Sequence, residues 1–193
     1  MKKKFYLLIV TLCSVCCLWA KPSTEGTEFW VTFMNNNKSN GELKLIASSR
    51  YDATITVKNP QTNWTTTFTV QANKTAEQVV PNEQAYTFDF EKISKRGLQV
   101  TANQPISLYA SNFQDHTYDA TIVMSTNGLG TDYVVQAFEN VLNGTYGREL
   151  AVVGTDNNTV ITITPSARTS GGKIKGVPFQ ITLNKGENIR LCH

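Results

Sequence analysis

Histidine and cysteine are the scarcest chemistry-bearing residues of this sequence, with two and four copies in 193 residues. Three of the cysteines, Cys13, Cys16 and Cys17, sit in the apolar stretch FYLLIVTLCSVCCLW behind the basic opening MKKK. With a cleavage site at Leu18-Trp19-Ala20, residues 1–20 have the form of a secretory signal peptide. The apolar run is too short for a comfortable bilayer crossing, so no stable membrane span is expected. An uncleaved anchor is the alternative. A lipid anchor is disfavoured, because neither Leu12 before Cys13 nor Val15 before Cys16 is small, and Cys17 follows another Cys. Once the leader is set aside, Cys192 is the one thiol left, which excludes a disulfide framework. It reads as an ordinary buried thiol, or as a partner for a cysteine further along a longer chain.

A surplus of one charge is also missing. The 18 Lys and Arg outnumber the 15 Asp and Glu only through Lys2, Lys3 and Lys4 of the leader. The rest is balanced, and without a positive field nucleic acid and anionic lipid are not expected partners. Catalytic signatures are absent too. There is no G-x-S-x-G elbow. Gly128-Leu129-Gly130 lacks the spacing and the following helix of a phosphate loop. His116 is the one histidine of the body, His193 being terminal, so a zinc site lacks ligands. The acidic and amide spacings do not make a calcium loop. Asp115 and Glu139 are a conceivable glycosidase pair, but nothing in the sequence brings them together. Neither a cofactor nor an enzymatic activity is expected.

What is abundant is period-two alternation of Thr, Val, Ile and Phe. It appears in Thr54-Ile55-Thr56-Val57, Thr67-Phe68-Thr69-Val70, Phe88-Asp89-Phe90 and Leu98-Gln99-Val100-Thr101. It returns in Ile106-Ser107-Leu108, Ile161-Thr162-Ile163 and Phe179-Gln180-Ile181-Thr182-Leu183. Such alternation marks half-buried strands, and Asn-, Gly- and Pro-rich turns separate them. YVVQAFENVL (133–142) comes nearest to a helical stripe and fits a strand and turn as well. The class is all-β.

The strands also repeat. EFWVTFM (28–34) is echoed by DYVVQAF (132–138), ELKLIASSRYDATITV (42–57) by ELAVVGTDNNTVITI (149–163), and FTVQANKTAEQVV (68–80) by FQITLNKGENIRL (179–191). The connections SSRYDAT and GTDNNT read as hairpin turns. The expected architecture is antiparallel β-sandwich-like units, one complete over 21–131 and one partial over 132–193. The second lacks counterparts of the strands after Val80, which suggests a fragment of a longer chain.

GTEFWVTFM, DATITVKNP, RGLQVTANQPISLYASNF, the Asp119-Ala120 pair, GLGTDY, VVGTDNNTVITITPS and FQITLNKGENIRL together resemble the IgG-Fc-binding protein N-terminal domain family over 26–193. The resemblance implies an extracellular β-rich module of a binding or adhesive protein. It transfers neither immunoglobulin binding nor catalytic residues. The leader and the Asn/Thr content look bacterial.

One polar cluster stands out as a candidate ligand-binding site: Asn112, Gln114, Asp115, His116, Tyr118 and Asp119 within SNFQDHTYD. Asp115 and Asp119 would hold a cation or glycan with His116 as a further donor. The bland alternative is a polar connection between two strands. Trp30 reads as core. Trp64 reads as core or strand-edge packing, or as a stacking surface for sugar. The sequons at Asn63, Asn73, Asn143 and Asn157 carry meaning only in an animal secretory pathway. The sequence therefore points to a secreted or cell-surface, non-enzymatic module recognising an extracellular protein or glycan, with immunoglobulin suggested by resemblance only. Further domains of the same longer chain are expected. A structural β spacer is the alternative.

Overall fold

The computed structural model describes residues 23–36, 41–115, 117–137 and 147–192. Residues 1–20, His116, Glu139 and His193 lie outside these residues. Among the described residues thirteen strands follow one another: β1 (Glu25–Val31), β2 (Phe33–Met34), β3 (Glu42–Ser49), β4 (Ala53–Asn59), β5 (Trp64–Val70), β6 (Lys74–Val80), β7 (Tyr86–Thr87), β8 (Leu98–Gln114), β9 (Thr117–Val123), β10 (Glu149–Val153), β11 (Thr159–Ile163), β12 (Phe179–Leu183) and β13 (Asn188–Cys192). A single helical turn, α1 (Asn82–Ala85), and a 3-10 turn at Thr126–Gly128 complete the described elements. The protein is all-β, with antiparallel sheets in a sandwich-like arrangement.

The centre is β8, a 17-residue strand whose two halves pair with different neighbours. Along one edge, Ser107–Phe113 pairs with β3 and Gln99–Ala102 with β4. Along the other edge, β9 pairs with Leu108–Gln114 and β1 with Leu98–Ser107. So β3 and β4 form one long strand with a corner between them, and β5 and β6 run back along it as a second. The connections at 50–52 and at 71–73 are corners of this ribbon, since β3 and β4 do not pair. The expected hairpin turn at SSRYDAT is corrected accordingly.

Sequence explains the corners. Pro105 has no N–H to offer a ladder, and the β1 register jumps beside it, between Gly26 and Glu28. Side chains take over the backbone groups released by the bend. Ser49 Oγ donates to the Pro105 carbonyl at 2.9 Å, Asn103 Oδ1 accepts the Thr54 N–H at 2.8 Å, and Asp52 Oδ1 accepts that of Ala72 at 2.8 Å. Asn73 turns the other strand with φ of 58°, a left-handed conformation that Asn tolerates better than most residues. The folded ribbon encloses one core, in which Ile55, Val57, Leu98 and Val100 from one half meet Leu43, Leu45, Ile106 and Leu108 from the other. Each such burial stabilises by about 1.5–3 kcal/mol.

The same ribbon recurs. β10 pairs with β13 and β11 with β12, as β3 pairs with β6 and β4 with β5. Leu150 faces Leu191 as Leu43 faces Val80. GTDNNT is likewise a corner, not a hairpin turn. The match between FTVQANK and FQITLNK is off by two residues in space: Ile161 pairs with Ile181 where Ile55 pairs with Phe68. The left-handed turn residue, Asn73 in the first ribbon, is Gly186 in the second, with φ of 80°. The conformation is kept and the Asn-Lys letters are not.

Phe88-Asp89-Phe90, expected as a strand, is irregular. Phe88 packs edge-on against Tyr86 at 4.8 Å between ring centroids, and Phe90 lies beneath the Arg190 guanidinium at 4.2 Å. From there residues 91–97 run beside β13. Glu91 N–H donates to the Arg190 carbonyl at 2.7 Å and Gly97 N–H to that of Gly186 at 3.1 Å. β13 is therefore held on both edges, and all its residues are buried. Arg190 forms a forked ion pair with Glu149 and donates to the Phe88 carbonyl at 2.9 Å.

Candidate functional site

β8 and β9 make a hairpin that projects beyond β1. Its register is regular, with Asn112 opposite Asp119, Phe113 opposite Tyr118 and Gln114 opposite Thr117. Because neighbouring positions along a strand point to opposite faces, this register divides the polar cluster. Asn112, Gln114 and Asp119 belong to the face continuous with the core, while Tyr118 stands on the other, beside Phe113. Asp115 lies at the turn and is exposed. The structure thus brings Asn112 and Asp119 together and separates both from Tyr118.

The inner side of the hairpin is tied down. Asn112 Nδ2 donates to the Met34 carbonyl at 2.9 Å, and Thr117 Oγ1 donates to Asn36 Oδ1 at 2.8 Å. Asn36 is itself clamped by Tyr86, whose hydroxyl accepts the Asn36 N–H at 2.6 Å and donates to its carbonyl at 3.1 Å. Burial pushes the Tyr86 phenol above its ordinary range. Gly41 is required where the chain enters against the hairpin, since a Cβ there would meet the Phe113 carbonyl at 2.7 Å. A depression beside it is lined by Gly41, Glu42, Phe113, Gln114 and Asp115. Among the described residues, no three His, Cys, Asp or Glu side chains gather as metal ligands.

The outer face carries a different chemistry. Tyr118, Phe113, Tyr109 and Ile122 form two cross-strand pairs there, exposed by 59%, 48%, 41% and 39%. The Phe113 and Tyr118 rings lie 6.1 Å apart at 57°, and Ser111 Oγ donates to the Tyr118 hydroxyl at 3.2 Å. Cross-strand aromatic pairs of this kind stabilise a sheet by about 0.2–1 kcal/mol each. On the adjoining β3, Lys44 bridges Glu42 at 2.9 Å and Glu77 at 3.3 Å. The bonds to Glu42 and then Glu77 hold the Lys44 ammonium above the usual lysine range. The result is an apolar sheet face bordered by a satisfied ionic row.

Phe113 and Ile122 carry no signal of their own in the sequence. Phe113 sits between Asn112 and Gln114 in a polar run, and only strand parity could have sorted it with Tyr118. Trp30 is buried, in agreement with the core reading. Trp64 opens β5 half-buried against the core cluster, which favours packing over a sugar platform. Cys192 is buried and free.

Sheet pairing and exposed surface together define an all-β sandwich protein that presents a flat, partly aromatic sheet face. Residues 119–192 match the family model described as IgGFc binding protein. The match begins at Asp119 in β9 and runs through the second ribbon, a shorter span than the resemblance read over 26–193. No curated protein and no solved structure matches the chain. No helix among the described residues is long and apolar enough to cross a membrane.

Proposed function

We propose that this protein is a non-enzymatic extracellular recognition module, and that the outer face of the β8–β9 hairpin is its contact surface for a protein or glycan. On this reading residues 1–20 are a cleaved secretion signal. Residues 21–131 are one whole β unit and 132–193 the first part of another, within a longer surface protein. The observation that carries the reading is the exposed row Tyr118, Phe113, Tyr109 and Ile122 on β9 and the β8 stretch that also pairs with β3. Exposed aromatic clusters on a rigid support are what binding hot spots are made of. The family match supports a binding role of the extracellular kind, and immunoglobulin is a candidate partner only through the family's description. The clamp from Tyr86 through Asn36 to Thr117 would hold the face in its binding shape without a partner present.

The test is binding of the full chain to immobilised immunoglobulin G and to a glycan array, compared with a Phe113→Ser/Tyr118→Ser variant. Binding lost at unchanged melting temperature supports the outer face. Binding lost instead in Asp115→Ala/Asp119→Ala assigns the contact to the polar tip and overturns the aromatic one. No binding by the parent to either surface favours the spacer, in which stacked β units project another domain outward.

A further inference from the structure

β9 is an edge strand that lacks cover. Among the described residues it pairs with β8 alone, so alternate N–H and C=O groups along its other edge find no ladder partner there. Tyr118, Asp119, Ala120, Thr121 and Ile122 are exposed in succession, which leaves the strand wet on both faces as well. In β5, another edge strand, every second residue is partly or fully buried. The edge of β1 is crossed by Ser125, which bridges to Phe29, and Thr126 Oγ1 donates to the Glu28 carbonyl at 3.0 Å. Exposed edges are commonly blunted by lysine, proline or a bulge. TYDATIV carries neither lysine nor proline, and its pairing with β8 runs without a register shift.

Such an edge accepts another strand, and the order of residues in β9 favours a copy of itself. A two-fold axis normal to the sheet keeps both outer faces on one side. Placed through Ala120, the midpoint of Thr117–Val123, it pairs all seven residues of the strand. Tyr118 then faces Ile122 of the second copy, Asp119 faces its Thr121, and Thr117 its Val123. On the outer side an aromatic ring meets an aliphatic chain, and on the inner side a carboxylate meets a hydroxyl. Cross-strand pairs of the first kind stabilise, whereas like charges directly opposite oppose pairing. Moving the axis to Asp119 sets two carboxylates face to face. Moving it to Thr121 sets Asp119 against Val123 and carries Tyr118 past the end of the strand. The charges of residues 21–193 balance, so no long-range repulsion keeps two copies apart.

We infer that this chain forms a two-fold dimer by antiparallel pairing of β9 with β9 of a second copy, centred on Ala120. The sheet then runs unbroken from β3 and β8 of one copy, through both β9 strands, to β8 and β3 of the other. On its outer side Phe113 and Tyr118 continue into Ile122 and Tyr109 of the second copy, and the same row runs back beside it in the opposite sense. The interface is isologous, each copy giving the same patch. Pairing uses the edge of the hairpin, so the aromatic face is doubled rather than covered. The inference rests on the contact-surface reading only for the use of that doubled face; the pairing itself stands on the register of β9.

The experiment is sedimentation velocity of the full chain over a concentration series, for the parent, for Ala120→Lys, for Ala120→Glu and for an equimolar mixture of the two variants. The parent should pass from monomer to dimer as concentration rises. Each variant sets like charges together on the axis and should stay monomeric at unchanged melting temperature, since Ala120 is exposed. The mixture should recover a dimer, because opposite charges then meet. Amide exchange at 118–122 should be slowed by about tenfold or more in the parent dimer relative to either variant alone. A parent that stays monomeric up to its solubility limit overturns the proposal, as does a dimer that survives in both variants. A mixture that stays monomeric overturns the Ala120-centred register and the proposal with it. A dimeric parent that binds neither immunoglobulin G nor glycan upholds the pairing and removes the contact surface; a monomeric parent that binds does the reverse.

Discussion

Ser94 and Asn188 exchange both main-chain hydrogen bonds, at 2.8 and 2.9 Å, and Ser94 Oγ donates to Asn188 Oδ1 at 2.7 Å. The Asn188 carboxamide is saturated: Oδ1 also accepts the Arg96 N–H at 2.9 Å, and Nδ2 donates to Thr87 Oγ1 at 2.7 Å and Thr32 Oγ1 at 3.1 Å. One fully buried side chain thus joins three segments, at Thr32, Thr87 and Ser94–Arg96, to β13. Asn188→Ala removes the acceptor of the Arg96 N–H and the Ser94 hydroxyl, while Thr32 Oγ1 keeps the Ala85 and Arg96 carbonyls and Thr87 Oγ1, and should destabilise by roughly 2–4 kcal/mol. Urea unfolding measures the loss, and limited proteolysis should then cut between 131 and 149 more readily.

The Arg190–Glu149 pair predicts an asymmetry. Arg190 is buried, so Glu149→Leu alone strands a guanidinium and should cost about 3–5 kcal/mol. Replacing both, as Arg190→Met with Glu149→Leu, should recover most of that loss. The comparison is made by denaturant unfolding of the single and double variants.

Tyr86 predicts an alkaline limb. Burial raises its phenol above the ordinary 10.0, the Asn36 hydrogen bond and Arg190 work against the rise, and Glu149 adds to it. The folded state therefore holds the phenolic proton more tightly than the unfolded chain. That contribution is complete below about pH 10 and is lost as pH rises through the folded value. Tyr86→Phe should cost about 1 kcal/mol at neutral pH through the lost Asn36 bonds. Its stability should also fall less steeply than the parent's across that alkaline range, as thermal unfolding against pH would show.

Phe113 and Tyr118 predict weak mutual stabilisation. Both are largely exposed, so a double-mutant cycle to Ala should give a coupling of about 0.2–1 kcal/mol. A larger coupling would mean that the pair is there to hold the hairpin rather than to meet a partner.

The strands were legible because runs such as Thr54-Ile55-Thr56-Val57 bury one face and wet the other. What escaped was set by contacts distant in sequence. SSRYDAT looks like a hairpin turn locally, and only pairing with β8 makes it a corner. Asn188 and Arg190 alternate with Ile189 and Leu191 and are nonetheless buried, because residues 91–97 come from far upstream to cover them. The polar cluster at 112–119 was located as a segment, but its division by face depended on the register with β9. α1 is one turn long, too short for a periodic signal.

β8 carries a consequence for how the molecule comes to be. Four strands depend on it for their hydrogen bonds, and three of them, β1, β3 and β4, precede it in the chain. The two-stranded ribbon can assemble early from neighbouring residues, but Leu43, Leu45, Ile55 and Val57 stay wet until Leu98–Gln114 arrives. Such closure is slow, because contacts distant in sequence must be made before they are rewarded. A chain emerging from its amino end would therefore remain open until Gln114 had appeared.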